Sequence, residues 1–247
     1  MTTVRPDHLL ISGTFNYRDV GGLRTAGGAK VRSGVLLRSA HLCRLDADGH
    51  ATLGELGVAT VHDLRGPREI HHLGPDVLPD DIRLEFSPFD SRMGEVPPHE
   101  VVYDDGRAEM MKVYAAFPRM PETGAGLVAM AESLVRGDGA VLVHCAAGKD
   151  RTGWAVATLL RAVGVTESEV LDDYLLSNGA VDSLREDVEI NSGGRFALPV
   201  DVLGVDPDYL GAGTESMQVL YGDLDGYLDA IGLSDQLRLR LRDRLLE

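Results

Sequence analysis

An α/β fold, with a mostly parallel central sheet flanked by helices and a helical C-terminal half, is predicted by three observations. Short runs rich in valine and leucine alternate with helical patterns up to residue 145. Beyond that point the patterns are almost entirely helical. No Ser/Gly-rich or Pro-rich linker divides two cores, so the 247 residues read as one domain, 1–247. Alternation of this kind builds parallel sheets with helices on both faces.

The strands expected are VRSGVLLRS (31–39), VATVHDL (58–64), IRLEF (82–86) and AVLVHC (140–145). Helices are expected between them at 50–56, 107–117 and 123–136. TGWAVATLLRAVG (152–164) has a helical apolar pattern closed by Gly164. Thr166 and Glu169 follow with the spacing of a capping box. Further helices are expected at 180–191, 214–231 and 235–246. The stretch 191–207 carries Gly and Pro and reads as irregular; long irregular stretches beside helices often form lids. A lid-like insertion is therefore placed at about 180–215.

The formal net charge is −15, from 39 acidic against 24 basic residues. Such a surface repels nucleic acid, which is bound chiefly through its phosphates. It also lacks the basic cluster expected of a protein held at an anionic membrane. A phosphate site here must build its positive potential locally, from Arg, Lys, backbone N–H groups and a helix N-terminus. The two cysteines, Cys43 and Cys145, exclude a disulfide scaffold and a Cys-based zinc site and suit a reducing compartment. The start MTTVRPDHLLISG has too short an apolar run for a signal peptide, and no segment reaches membrane-span length. A cytoplasmic protein is expected, with release by a route needing no cleaved signal left open.

Chemistry concentrates in VLVHCAAGKDRTG, Val141 to Gly153: strand, Cys, five residues, Arg, Thr, helix. The strand sets Cys145 at the carboxyl end of a sheet, where open α/β folds bind ligands. Ala146, Ala147, Gly148, Lys149 and Asp150 suffice to wrap one phosphate with N–H groups turned inward. A helix starting near Thr152 aims its positive end at the same spot. Such surroundings favour the thiolate, the attacking species. Arg151 offers a planar fork for two phosphoryl oxygens, and Thr152 a hydroxyl for the sulfur. A lone cysteine is usually a small core residue, but the agreement of residue types, spacing and context outweighs that reading here. A Walker A loop is rejected, because His144 and Asp150 stand where Gly and Ser/Thr are required.

Other assignments stay open. His144 is either an imidazolium that helps keep the thiolate ionised or an imidazole bonded to loop backbone. The leaving oxygen needs an acid; Asp90, beyond a strand in LEFSPFDS, and Asp150 are the candidates, with turn chemistry and loop bracing as the bland alternatives. Lys149 is either a second cation for multiply phosphorylated substrates or a surface lysine paired with an acid. Cys43 in LCRL reads equally as a buried residue or as a partner for Cys145 on oxidation.

HCAAGKDRTG resembles the loop of the bacterial tyrosine-protein phosphatase family. The likeness extends through FNYRDVGG (15–22), LLRSAHLCRLDADG (36–49), VHDLRGPREI (61–70), DDYLLSN (172–178) and VLGVDPDYL (202–210). It implies a cysteine-phosphatase fold without metal or cofactor, a mobile helical lid, and activity on phosphotyrosine extending to phosphoserine, phosphothreonine and phosphoinositides. By position, Cys145 and Arg151 match nucleophile and clamp, Lys149 and Asp150 the family's Lys-Asp pair, and Asp90 a proposed acid. Asn16, Arg18 and Asp19 match an N-terminal signature read as mainly structural, with Tyr17 where Phe is frequent. Phosphoprotein or phosphopeptide substrates are favoured, phosphoinositides being the alternative. A non-catalytic phosphate-binding module would not require a thiolate, and a sulfurtransferase loop would not demand Cys-x5-Arg-Thr.

Overall fold

The computed structural model describes residues 11–89, 105–194 and 198–247. Five strands form one sheet: β1 (Arg18–Asp19), β2 (Leu36–Ser39), β3 (Val58–Asp63), β4 (Arg83–Phe86) and β5 (Ala140–His144). Their order is β1-β2-β5-β3-β4, with only β1 antiparallel. The α/β expectation is met, and β5 lies at the centre, paired with β2 and β3.

Side chains alternate across the sheet as the pleat requires. Leu36, Val141 and Val143 join the larger apolar core, with Leu127, Met130, Trp154 and Leu160. Leu37, Leu142 and Val61 face the smaller one, with Leu53. The helices are α1 (Ala47–Glu55), α2 (Pro67–Leu73), α3 (Gly106–Ala116), α4 (Pro121–Arg136), α5 (Asp150–Ala162), α6 (Glu167–Leu175), α7 (Val181–Ser192), α8 (Val200–Leu203), α9 (Pro207–Tyr221), α10 (Leu224–Ala230) and α11 (Asp235–Leu245). Among the described residues no helix is long and apolar enough to cross a membrane.

The differences from expectation have local causes. The strand expected from residue 31 begins at 36: Gly34 takes φ +71° and Arg32 donates to the Leu245 carbonyl at the chain's other end. Helix α1 starts earlier than residue 50 because Asp46 caps it, accepting from Gly49 N at 2.9 Å. The helix expected over 214–231 is two helices, broken at Gly222 (φ +86°), with Asp223 capping the second. The stretch 191–207 contains the short α8. Thr166 caps α6 as expected, accepting from Glu169 N.

Candidate active site

Cys145 follows the last residue of the central strand and is buried. The chain then turns through Gly148 at φ +66°; a Cβ there would lie 2.1 Å from the Ser39 carbonyl oxygen, so no other residue fits. Helix α5 begins at Asp150, two residues before the expected start.

Four consecutive loop carbonyls are turned outward, each with its own donor. Cys145 O lies 3.1 Å from His144 Nδ1. Ala146 O accepts from the His41 amide at 3.1 Å. Ala147 O accepts from Asn16 Nδ2 at 3.0 Å, and Gly148 O from Arg38 Nη2 at 2.9 Å. A peptide plane that turns its carbonyl out turns its N–H in. Accordingly, no backbone N–H from Ala146 to Arg151 donates to a protein acceptor among the described residues. That concave row of donors, joined to a helix N-terminus, is an anion cradle.

The donors are themselves fixed. Asn16, at φ +53°, accepts from Arg18 Nη1 at 2.7 Å. Arg18 and Arg38 both bind the Asp173 carboxylate, at 3.0 and 2.7 Å. Burial would raise Asp173; the two guanidiniums outweigh it and hold its carboxyl below the usual range. Thus Asn16 and Arg18, read from sequence as mainly structural, fix the direction of a loop carbonyl. Asp19 instead accepts from the amides of Gly21 and Gly34.

His144 has a partner on each ring nitrogen. Its Nδ1 holds loop backbone, while Nε2 meets Asp76 Oδ2 at 2.7 Å. Asp76 and Asp63 also bracket Arg65, at 2.7 and 2.8 Å. Ligand atoms of Asp63, Asp76 and His144 lie within 4.8 Å of one another, close enough for a metal ion. Arg65 bridges the two carboxylates and His144 Nε2 lies against Asp76, so these ligand atoms are already partnered within the protein.

Arg151 is gripped by Glu69 of α2: Nη1 and Nη2 each donate to one carboxylate oxygen at 2.5 Å, and Nη1 also donates to Leu64 O at 3.3 Å. Burial opposes the charge of Arg151, but Glu69 raises its pKa overall. Glu69 is pushed up by burial and held down more strongly by Arg151. Of the five N–H bonds of a guanidinium, Nε–H and one Nη2–H stay uncommitted among the described residues; they form the side fork that matches two oxygens of a phosphate.

The remaining expectations have distinct outcomes. Lys149 is neither surface-exposed nor free: its Nζ donates to Gly204 O at 3.1 Å and to Val202 O, and lies 3.2 Å from Asp150 Oδ2. Asp150 Oδ1 accepts from Tyr114 Oη at 3.0 Å, which in turn accepts from Tyr174 Oη at 2.8 Å; this is the bracing geometry. The Thr152 hydroxyl is buried and has no hydrogen-bond partner among the described residues. Asp90 lies outside them.

Sequence reasoning missed Glu69, Asp76 and Asp173. Glu69 alone left a local signal, three residues after Gly66 and two after Pro67 at a helix start, and its Oε2 does accept from Gly66 N at 2.9 Å.

Comparison with known proteins identifies the family. The profile described as "Tyrosine phosphatase family" matches residues 9–247. The chain is 34% identical to a Mycobacterium tuberculosis protein named triple specificity protein phosphatase PtpB, over 96% of this chain and 98% of that one. It is 32% identical to a tyrosine-protein phosphatase of Nostoc commune, over 85% of this chain and 74% of the other. A crystal structure of Pseudomonas aeruginosa TpbA aligns over 82% of this chain and 89% of its own, with 21% identity and a TM-score of 0.37, too low to carry an argument. On the extent of the profile match and of the mycobacterial alignment, the chain belongs to the tyrosine phosphatase family.

Proposed function

We propose that this protein hydrolyses phosphotyrosine in proteins or peptides through a phosphocysteine intermediate on Cys145. The observation that carries the reading is the loop itself: carbonyls of residues 145–148 held outward, amides of 146–151 uncommitted, and the side fork of Arg151 open beside them. Sulfur attacks phosphorus while the amides and Arg151 take up charge on the equatorial oxygens, and the tyrosyl oxygen leaves. Water then cleaves the sulfur–phosphorus bond. The Thr152 hydroxyl hydrogen-bonds the sulfur and stabilises it as a thiolate when it departs. Asp90 protonates the leaving oxygen; Asp150 is a poorer donor, since it accepts from Tyr114 and faces Lys149.

The name of the mycobacterial relative favours a broad specificity that takes in phosphoserine and phosphothreonine. A phosphoinositide substrate is less favoured, because the Lys149 ammonium that would grip a second phosphate is occupied by the carbonyls of Val202 and Gly204. Those same bonds suit α8 to a lid role over the loop. The test is turnover on a phosphotyrosine peptide, a phosphoserine peptide and short-chain phosphoinositides with one preparation. Fastest turnover on the phosphotyrosine peptide is expected, together with a phosphate-labelled Cys145 after acid quench. Faster turnover of the lipid would replace the substrate assignment, and absence of the labelled cysteine would replace the mechanism.

A further inference from the structure

Outside the phosphate loop the chain holds one more thiol, and it does not stand alone. Cys43 Sγ lies 2.9 Å from His41 Nδ1, and His41 Nε2 lies 3.2 Å from Asp187 Oδ1. Nucleophile, imidazole and orienting carboxylate thus stand in a row, the arrangement that activates thiols in cysteine hydrolases. Cys43 is half-buried, whereas His41 is 1% exposed. The imidazole is fixed on its other sides by the edge of the Phe15 ring, 6.0 Å between centroids, and by its own amide bond to Ala146.

Asp187 is itself held by its neighbours. Arg44 meets Asp187 at 2.9 Å, and Asn191 donates to the other oxygen of that carboxylate at 2.9 Å. Burial would lower the pKa of His41, but the hydrogen bonds to Asp187 and to Cys43 push it up to about 9.

We propose that Cys43 is a second nucleophilic thiol, with His41 as its proton partner and Asp187 as the group that orients the ring, and that it is the site at which low-molecular-weight disulfides modify this protein. In that step the Cys43 sulfur attacks one sulfur of a disulfide RS–SR. The reagent's sulfur–sulfur bond breaks, a Cys43–S–S–R bond forms, and RS⁻ leaves with the electron pair. The disulfide is the only oxidant needed.

Cys145→Ser leaves Cys43 as the single thiol of the chain, so an aromatic disulfide such as 5,5′-dithiobis(2-nitrobenzoic acid) reports on it alone. For this folded variant the rate is expected to change by less than about threefold between pH 6 and 8, whereas an unassisted thiol gains roughly tenfold per unit over that range. Adding Asp187→Asn should lower the pH 6 rate about tenfold and restore the steep rise. The same chain in guanidinium supplies the unassisted reference, so the comparison stands even where Asp187→Asn does not fold. A folded rate as steep as the unfolded one, or no mixed disulfide on Cys43 by peptide mapping, overturns the proposal.

Discussion

The phosphate loop meets the rest of the protein on two sides that are built differently. Beneath it, Asn16, Arg38, His41 and His144 each hold one carbonyl; Asp173 on α6 holds Arg38 and also Arg18, which binds Asn16, and Asp76 holds His144. On the other side one ammonium, that of Lys149, reaches two carbonyls at the end of α8, a four-residue helix on which Val200 is 74% exposed. The lower side is redundant and buried, which suits a cradle that must keep its shape before the anion arrives. The tie from Lys149 ends on a short, partly exposed element, which suits a contact that is made and released.

The difference is broken most completely by removing the sulfur while leaving both sides intact. Cys145→Ser should reduce turnover to background, yet bind vanadate or phosphate almost as well as the parent, because the amides and Arg151 remain. Retained turnover beyond a trace would remove Cys145 from the chemistry. Arg151→Lys comes next: an ammonium cannot hold Glu69 and two phosphoryl oxygens at once, so kcat/KM should fall on the order of 10³-fold. Glu69→Gln keeps the shape of that grip and loses its charge. It should cost about 10- to 100-fold, mostly in kcat, since Arg151 stays but is less firmly aimed. Equal losses from Glu69→Gln and Arg151→Lys would mean that Glu69 does more than position.

How far this site was legible in the sequence follows the same division. Cys145, Gly148, Arg151 and Thr152 lie within eight residues, and their spacing alone placed the loop at the end of a strand. The elements under the loop were partly legible as motifs, FNYRD and DDYLLSN, but not as roles. Arg18 meets Asp173 across 155 residues, and Arg151 meets Glu69 across 82. Pairings at that distance are fixed by sheet order, which no local pattern encodes. The short β1 and the seven-residue α2 fell below the length at which periodicity speaks. The burial of Lys149 was not legible for a related reason: a charged residue in a loop reads as exposed until the element that buries it, here α8, is in position.

On the upper side smaller effects are expected. Lys149→Met removes the tie to Val202 and Gly204 but leaves the cradle. It should change kcat or KM by only a few-fold and destabilise the fold by about 1 kcal/mol, the ordinary worth of a buried hydrogen bond. If it matched Arg151→Lys in effect, the ammonium would belong to the cradle after all, and a second-phosphate role would return.

The smallest effect concerns stability rather than rate, and it separates the ionic ground behind the loop from the neutral ground elsewhere in the sheet. His62 on β3 is fully buried between Ser87 and Ser133, with its ring nitrogens 3.2 and 2.9 Å from the two hydroxyls. Burial first, then the charges of Arg136 and His144, lower its pKa to about 4. The folded chain therefore keeps this ring neutral where the unfolded chain, titrating near 6.5, takes up a proton. Its contribution is present above about pH 6.5 and lost as pH falls toward 4. His41, raised to about 9 after its carboxylate and sulfur bonds overcome burial, behaves oppositely. Its contribution is present below about pH 6.5 and lost as pH rises through 9. Urea unfolding between pH 4.5 and 9.5 should therefore give a stability maximum that falls away on both sides, by no more than about 1.4 kcal/mol per pH unit for each ring. His62→Gln should flatten the acid limb alone, and Asp187→Asn the alkaline limb alone. If Asp187→Asn left the alkaline limb unchanged, His41 would not be the charged partner that its neighbours require.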